Sequence, residues 1–401
     1  MNSKRQRSIE MTDSEIALRY GCNPHQVPAR IYRPEGELPF RVLSGSPGYI
    51  NMLDALNSWQ LVRELKQVLD LPAAASFKHV SPAGAAVGVP LDEALKKAYF
   101  VDDMELSPLA TAYARARGAD RVSSYGDWVA FSDVVDLPTA RLINREVSDG
   151  VIAPGYDDKA IDVLRKKKNG RYVVIEIDPG YEPEELETRE IFGIRFEQKR
   201  NDLVVTPDLL KNTVTVNKEL PPSAVRDLIV ATTTIKYTQS NTIGFAVDGQ
   251  AIGVGAGQQS RIHCTRLAAD KADRWFLRQH PAVLGLKWRK GVGRPERNNG
   301  IDLYLQDKIT PIERELLEAA LEEVPPQLAP EEKEEWLGKM TGVSLSSDAF
   351  IPFRDTIDRA QQSGVSYVVQ PGNSLRDEEV IKACNDYNMV MVFTSTRLFH
   401  H

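Results

Sequence analysis

Lys78 and His79 set an ammonium beside an imidazole at the end of the apolar run 73–77. The chemistry that suits this pair is a base plus an electrostatic clamp, in which His79 takes a proton and Lys78 stabilises a developing oxyanion. The apolar run reads as a buried strand, whose side chains alternate between faces, so the two residues can address one ligand only if the strand breaks there. Pro82 cannot donate to a ladder, and Gly84 permits unusual dihedrals. The pair is therefore expected on a strand-to-loop bend at the C-terminal edge of a sheet, where ligands of open α/β sheets bind. Read alone, the dipeptide more often means a surface lysine beside a satisfied core histidine.

A second candidate is Arg19, in the loop sequence Arg19-Tyr20-Gly21-Cys22-Asn23-Pro24-His25-Gln26. Asn23 precedes a proline and is pushed toward extended backbone, while Gly21 lets the chain approach a ligand closely. The Arg19 guanidinium can fork onto a phosphate, although a lone arginine is more often a solvated charge. Gly253-Val254-Gly255-Ala256-Gly257 follows a strand but lacks the third glycine of a dinucleotide fingerprint, and that reading is rejected.

The chain that must position these residues has 401 of them, 42% hydrophobic and 26% charged, enough for a sizeable core. No apolar run approaches the roughly 18 residues of a membrane helix, and the first residues lack the apolar core of a signal peptide. No membrane partner and a cytosolic location are expected. A net charge of −6 argues against a nucleic-acid surface. Cys22, Cys264 and Cys384 are too few and scattered for a disulfide framework or a metal knuckle, so no catalytic metal is expected. A zinc deaminase is excluded by the lack of H-x-E with P-C-x-x-C.

Local patterns place the elements. Asn51 is a candidate N-cap with Asp54 three residues on, and Ala55, Trp59, Val62, Leu65 and Leu69 follow at helical spacing. Helices are expected over 91–99 and over 108–117, the latter stopped by Gly118 at C′. A short strand at 128–131 precedes Ser148-Asp149-Gly150, a helix over 158–168 and a strand at 172–177. The stretch 179–222 reads as a connection. Residues 243–247 and 250–254 flank Asp248-Gly249, a strong hairpin signal, and Ser260 caps a helix carrying Arg261, Ile262, His263 and Arg266. Residues 313–323 and 331–339 read as solvated acidic helices, and 389–393 as a final strand that holds the C-terminus down.

An internal repeat is suggested by two matches. Residues 234–241, with Lys236-Tyr237, resemble 76–81, and Ser347-Asp348 with the helix and strand after it retraces the order following Ser148-Asp149. The expected class is α/β, with a polar tail over 1–11 and two layered α/β halves over 12–200 and 201–401.

Taken together, these motifs resemble one family: the transformylase portion of the bifunctional AICAR (5-aminoimidazole-4-carboxamide ribonucleotide) formyltransferase and IMP cyclohydrolase. The resemblance runs from about Leu18 to His401. It rests on Arg19-Tyr20-Gly21 with Asn23-Pro24-His25-Gln26, on Phe77-Lys78-His79-Val80-Ser81-Pro82-Ala83-Gly84, on Gly257-Gln258-Gln259-Ser260-Arg261-Ile262, and on Arg397-Leu398-Phe399-His400-His401. It implies a duplicated cytidine-deaminase-like fold, a homodimer with sites at the interface, and formyl transfer from 10-formyltetrahydrofolate to AICAR in purine biosynthesis. Lys78, His79 and Asn241 match the catalytic positions. Arg19, Tyr20, His79, Gly126, Asp149, Asn241, Arg261, Phe350 and Arg397 match positions that hold AICAR, with Arg19 and Arg397 assigned to its phosphate. Ile262, Asp355, Ser374 and Leu375 fall at folate positions, and a monovalent cation requirement is left open. Two departures stand out: only a short segment precedes Arg19, so no cyclohydrolase domain and no ring closure are expected, and Ile351 replaces a usual second aromatic, which bears on local packing. An inactive nucleotide-binding relative would be expected to have lost Lys78 or His79, and both are present.

Overall fold

A computed structural model describes residues 14–401, so the segment expected as a polar tail lies outside the described residues. Eleven strands form one mixed sheet. Their order is Val390–Phe393, Val365–Gln370, Val343–Ser347, Ile243–Val247, Gln250–Gly255, Ser81–Val87, Ala73–Lys78, Asp127–Phe131, Ser148–Ala153, Val173–Ile177 and Phe40–Ser44. Outward from the middle, each side has a hairpin and then three strands in chain order, the three being parallel to one another. Helices Leu137–Arg145 and Asp158–Lys166 link the parallel strands on one side, as Asp355–Gln361 and Asp377–Asp386 do on the other.

The alternation of strand side chains divides the core between two faces. Helices Tyr49–Leu69 and Pro222–Lys236, each leading into a hairpin, cover one face with Trp59, Leu61, Leu65 and Leu228 against Phe77, Trp128 and Ile152. Helices Pro108–Gly118 and Arg261–Leu277 cover the other, where Tyr113 and Trp275 pack with Phe131, Phe245 and Leu345. Each large apolar side chain so buried contributes about 1.5–3 kcal/mol. A mixed α/β protein with one large central sheet results, and no described helix is long and apolar enough to cross a membrane.

Two glycines owe their place to closeness. A Cβ on Gly84 would lie 2.1 Å from the Ala116 carbonyl oxygen, so Gly84 lets a helix sit directly on its strand and does not supply the unusual dihedral expected of it. Gly118 likewise lies inside its helix, beside the Tyr99 ring, and is not the C′ residue.

Other expectations need correction. The helix assigned an Asn51 cap starts at Tyr49; Asn51 is its third residue, and its side-chain oxygen accepts the Gly48 N–H at 3.0 Å. Residues 234–236 end a helix and form no strand. Within 179–222 lies an antiparallel ribbon, Leu186–Ile191 with Ile194–Lys199, exposed throughout. The acidic helices, Pro311–Ala320 and Pro330–Leu337, help enclose a small separate core around Tyr304, Leu305 and Leu317, because their apolar residues need a partner surface too. Ile351 is fully buried.

Strand direction decides what meets at each edge. Within each half the hairpin strand antiparallel to its neighbour reverses the path, and the two hairpins meet antiparallel at Gln250 and Ala86. One half is thus turned end for end relative to the other. The C-terminal end of Ala73–Lys78 therefore shares an edge with the start of Ile243–Val247 and the C-terminal end of Val343–Ser347.

Candidate active site

Lys78 ends its strand, and the break expected after it is a two-residue turn in which His79 (φ 54°) and Val80 (φ 62°) are both left-handed. Such a turn matches the twist of a hairpin but favours Asn or Gly, and a β-branched residue there is strained. The Val80 N–H donates to Asp54 Oδ1 at 2.6 Å from the neighbouring helix. Asp54 is buried, and that burial, with Asp149 and Asp127 adding to it, pushes its carboxyl up to about 6.

Lys78 Nζ donates to the Tyr125 carbonyl at 2.6 Å and forms part of the wall of a cavity of about 400 Å³. Arg117 and Arg121 line the same cavity, held from behind by Asp127 and Glu146 at 2.6–3.2 Å. Gly126 follows Tyr125 in the left-handed region with open space where a Cβ would be, and its N–H donates to the Val147 carbonyl at 2.9 Å. That bond brings Gly126 beside the strand that begins at Ser148. Asp149 is exposed there and pairs with Lys168 at 2.8 Å. The first group, Lys78, His79, Gly126 and Asp149, therefore gathers at one corner.

A second group is built on Asp348, fully buried just beyond strand Val343–Ser347. Its carboxylate pairs with Arg261 at 2.7 Å and accepts from Ser240 Oγ at 2.6 Å and the Thr242 N–H at 3.1 Å. Arg261 reaches on to the Asn241 side-chain oxygen at 3.2 Å. The C-terminal tail is tied to the same place, since the Leu398 N–H donates to the Asp348 carbonyl at 2.8 Å and the Ser240 N–H to that of His400 at 3.0 Å. Burial holds the His400 imidazole below its ordinary range. Phe350 and Arg397 are exposed beside this hub, Arg397 lying over the Phe399 ring at 4.6 Å.

The residues expected at the folate occupy the same rim. Ile262 follows Arg261 at the start of its helix, Asp355 opens the helix after Val343–Ser347, and Ser374 with Leu375 follows Val365–Gln370. Leu375 is fully exposed, and Phe350 and Phe353 are each about half exposed, at 47% and 48%. An apolar rim at the C-terminal ends of two adjacent parallel strands suits a flat heteroaromatic ligand. Arg19 and Tyr20 lie in the loop after Glu15–Leu18, Arg19 exposed and over the Tyr20 ring at 5.9 Å.

Among the described residues no hydrogen bond or ion pair joins the Lys78 group to the Asn241 group. Both stand on the same sheet edge, on either side of the place where Ser81–Val87 and Gln250–Gly255 pair only at Ala86 and Gln250 and part toward that edge. Sequence reasoning missed the supporting roles of Asp54 and Asp348. Asp54 carried a signal, a carboxylate on the apolar stripe of a helix; Asp348 carried none beyond its place after a strand. Lys236 and Tyr237, matched to Lys78 and His79 by sequence, are instead buried: Lys236 Nζ pairs with Glu64 at 2.6 Å and Tyr237 OH donates to the same oxygen at 3.0 Å. No cluster of metal-ligating side chains occurs among the described residues.

A large mixed sheet bearing a lysine-histidine turn and an arginine-carboxylate hub on one edge defines an α/β protein with an enzyme-like site. The model of the AICARFT/IMPCHase bienzyme family matches residues 2–271, and the chain belongs to that family. It is accordingly an enzyme of purine (IMP) biosynthesis related to AICAR. The matched span includes Lys78, His79, Asn241 and Arg261; Phe350, Asp355, Ser374, Leu375 and Arg397 lie beyond it.

Proposed function

We propose that this chain transfers the formyl group of 10-formyltetrahydrofolate to the 5-amino group of AICAR, giving formyl-AICAR and tetrahydrofolate in the cytosol. The observation that carries this reading is the Lys78-His79 turn, placed beside a basic cavity on the same edge as Asn241 and Arg261. The acceptor amine is a weak nucleophile, because its lone pair is delocalised into the imidazole and carboxamide. His79 takes the amine proton as the C–N bond forms, and Lys78 stabilises the oxyanion of the tetrahedral intermediate. The bond to N10 of the folate then breaks, and N10 receives a proton. Asn241 and Arg261 orient the nucleotide with Tyr20, Gly126, Asp149 and Phe350, while Arg19 and Arg397 take its phosphate. Ile262, Asp355, Ser374 and Leu375 hold the pterin end.

The like strand order of the two halves supports a duplicated cytidine-deaminase-like fold. The separation of the two residue groups within one chain supports sites shared between two copies of a homodimer. A His79 variant mixed with an Asn241 variant should then regain activity, with about a quarter of the sites restored at full exchange. No recovery despite exchange places each site within one chain.

The direct test follows absorbance as 10-formyltetrahydrofolate is consumed with AICAR. Tetrahydrofolate and formyl-AICAR should appear together, in equal amounts and only when AICAR is present. Absence of AICAR-dependent tetrahydrofolate release overturns the reading.

A further inference from the structure

The His79-Val80 turn carries a strain that nothing in its own two residues relieves. Left-handed backbone costs a residue with a Cβ roughly 1–2 kcal/mol, and Val80 is β-branched. An unsupported hairpin would relax by moving Val80 out of that region, and His79 would move with it. Asp54 opposes this from another element. Its carboxylate is buried, an expensive placement unless it is used, and its hydrogen bond among the described residues is to the Val80 N–H.

The other half holds the same device. Asp227, on helix Pro222–Lys236, is buried and accepts the N–H groups of Asp248 at 2.9 Å and Gly249 at 2.6 Å. Asp248 (φ 49°) and Gly249 (φ 73°) form the corresponding left-handed hairpin turn. There the pair is Asp-Gly, which takes that shape readily, and the turn sits on the sheet edge away from Lys78 and Asn241. A helix carboxylate thus grips a hairpin turn twice. Only one grip holds residues that do not favour the shape.

We infer that Asp54 is a positioning residue for formyl transfer: by holding the Val80 N–H it fixes the left-handed turn and so the place of His79 beside Lys78. This rests on the reading of Lys78 and His79 as the reacting pair. A reacting group displaced by about 1 Å can lose about 10²-fold in rate, so the grip should register in kcat more than in binding.

Asp54→Ala should lower kcat about 10²-fold while leaving the AICAR dissociation constant within about threefold. Val80→Gly added to that variant should restore at least about tenfold, because glycine adopts the same φ without support. Asp54→Asn keeps an acceptor oxygen and should fall only about threefold, again recovered by Val80→Gly, so the test survives if Asp54→Ala does not fold. Asp227→Ala serves as the comparator: it should lower the melting temperature yet leave kcat within about threefold. Asp54→Ala with the kcat of Asp227→Ala, or folded Asp54 variants that Val80→Gly does not rescue, overturns the inference. Full turnover in Lys78→Ala and His79→Ala would instead remove the formyl-transfer reading, which separates the two failures.

Discussion

The two hairpins at the centre of the sheet, Ala73–Lys78 with Ser81–Val87 and Ile243–Val247 with Gln250–Gly255, are alike in build and unlike in the residues of their turns. Each follows a long helix, each turns through two left-handed residues, and each turn is gripped by a buried aspartate of that helix. Each second strand also carries a glycine pressed on a helix, Gly84 against Ala116 and Gly253 against Ala268. In one hairpin the turn is the unstrained Asp248-Gly249; in the other it is His79-Val80. On the proposed function, strain falls where a side chain with chemistry is needed, and the Asp54 carboxylate holds it there. The end-for-end relation of the halves also puts non-equivalent corners on one edge. Lys78 therefore shares an edge with the Asn241 hub, and the counterpart of Lys78 lies at the far edge.

The comparison breaks first if chemistry is not confined to one turn. His79→Ala should lower turnover by about 10² to 10⁴ and Lys78→Ala by about 10² or more, the scales of losing a general base and an oxyanion donor. Asp248→Ala, at the matching position of the other turn, should change turnover less than about threefold. Steady-state assays with both substrates decide it, and equal losses on the two sides would erase the distinction.

Next in size is the buried pair formed by Lys236, the lysine that sequence matching set against Lys78. Lys236→Ala leaves Glu64 uncompensated at 6% side-chain exposure, so unfolding should become easier by about 3–5 kcal/mol. Urea titration measures this, and a near-normal midpoint combined with lost turnover would move Lys236 from scaffold to site.

Smaller effects sharpen the division of ligands. Arg19→Ala and Arg397→Ala should each raise the AICAR KM about tenfold or more and the folate KM far less, since each removes a charge-assisted bond to phosphate. Equal changes for both substrates would refute separate phosphate roles.

The smallest effect concerns pH. Burial raises the folded value of Asp54 from 3.8 to about 6, with Asp149 and Asp127 acting in the same direction. The native state thus holds this proton more tightly than the unfolded chain, a stabilisation complete below 3.8 and lost as pH rises through about 6. Asp54→Asn removes the dependence, so the stability of the wild type relative to this variant should decline over that window. A flat difference would mean that the carboxyl is not held as its burial implies.

Much of the site could be read from residue types, because a motif is local. The run before Lys78, the break after it and the Asp248-Gly249 hairpin all follow from apolar runs and turn chemistry within a few positions. The two sides of the sheet have a like strand order, but the residues matched in the sequence are not the ones that correspond in it. Counted by topology, Asp127–Phe131 is the partner of Val343–Ser347, so the likeness of Ser148-Asp149 to Ser347-Asp348 is one strand out of step. Lys236 was misplaced because helix Pro222–Lys236 is buried on nearly all sides over 227–236, so its residues show no clear apolar stripe from which a helix could be told by periodicity.

The sequence by itself determined the residue chemistry, the α/β class and the turns, since these depend on neighbours along the chain. Only the tertiary structure decided which edge each group occupies, that Asp54 grips Val80 across 26 residues, and that Asp348 gathers Arg261, Ser240 and the tail. Those outcomes depend on strand direction and on helices laid over the sheet, and contacts between distant segments leave no spacing in the sequence from which to read them.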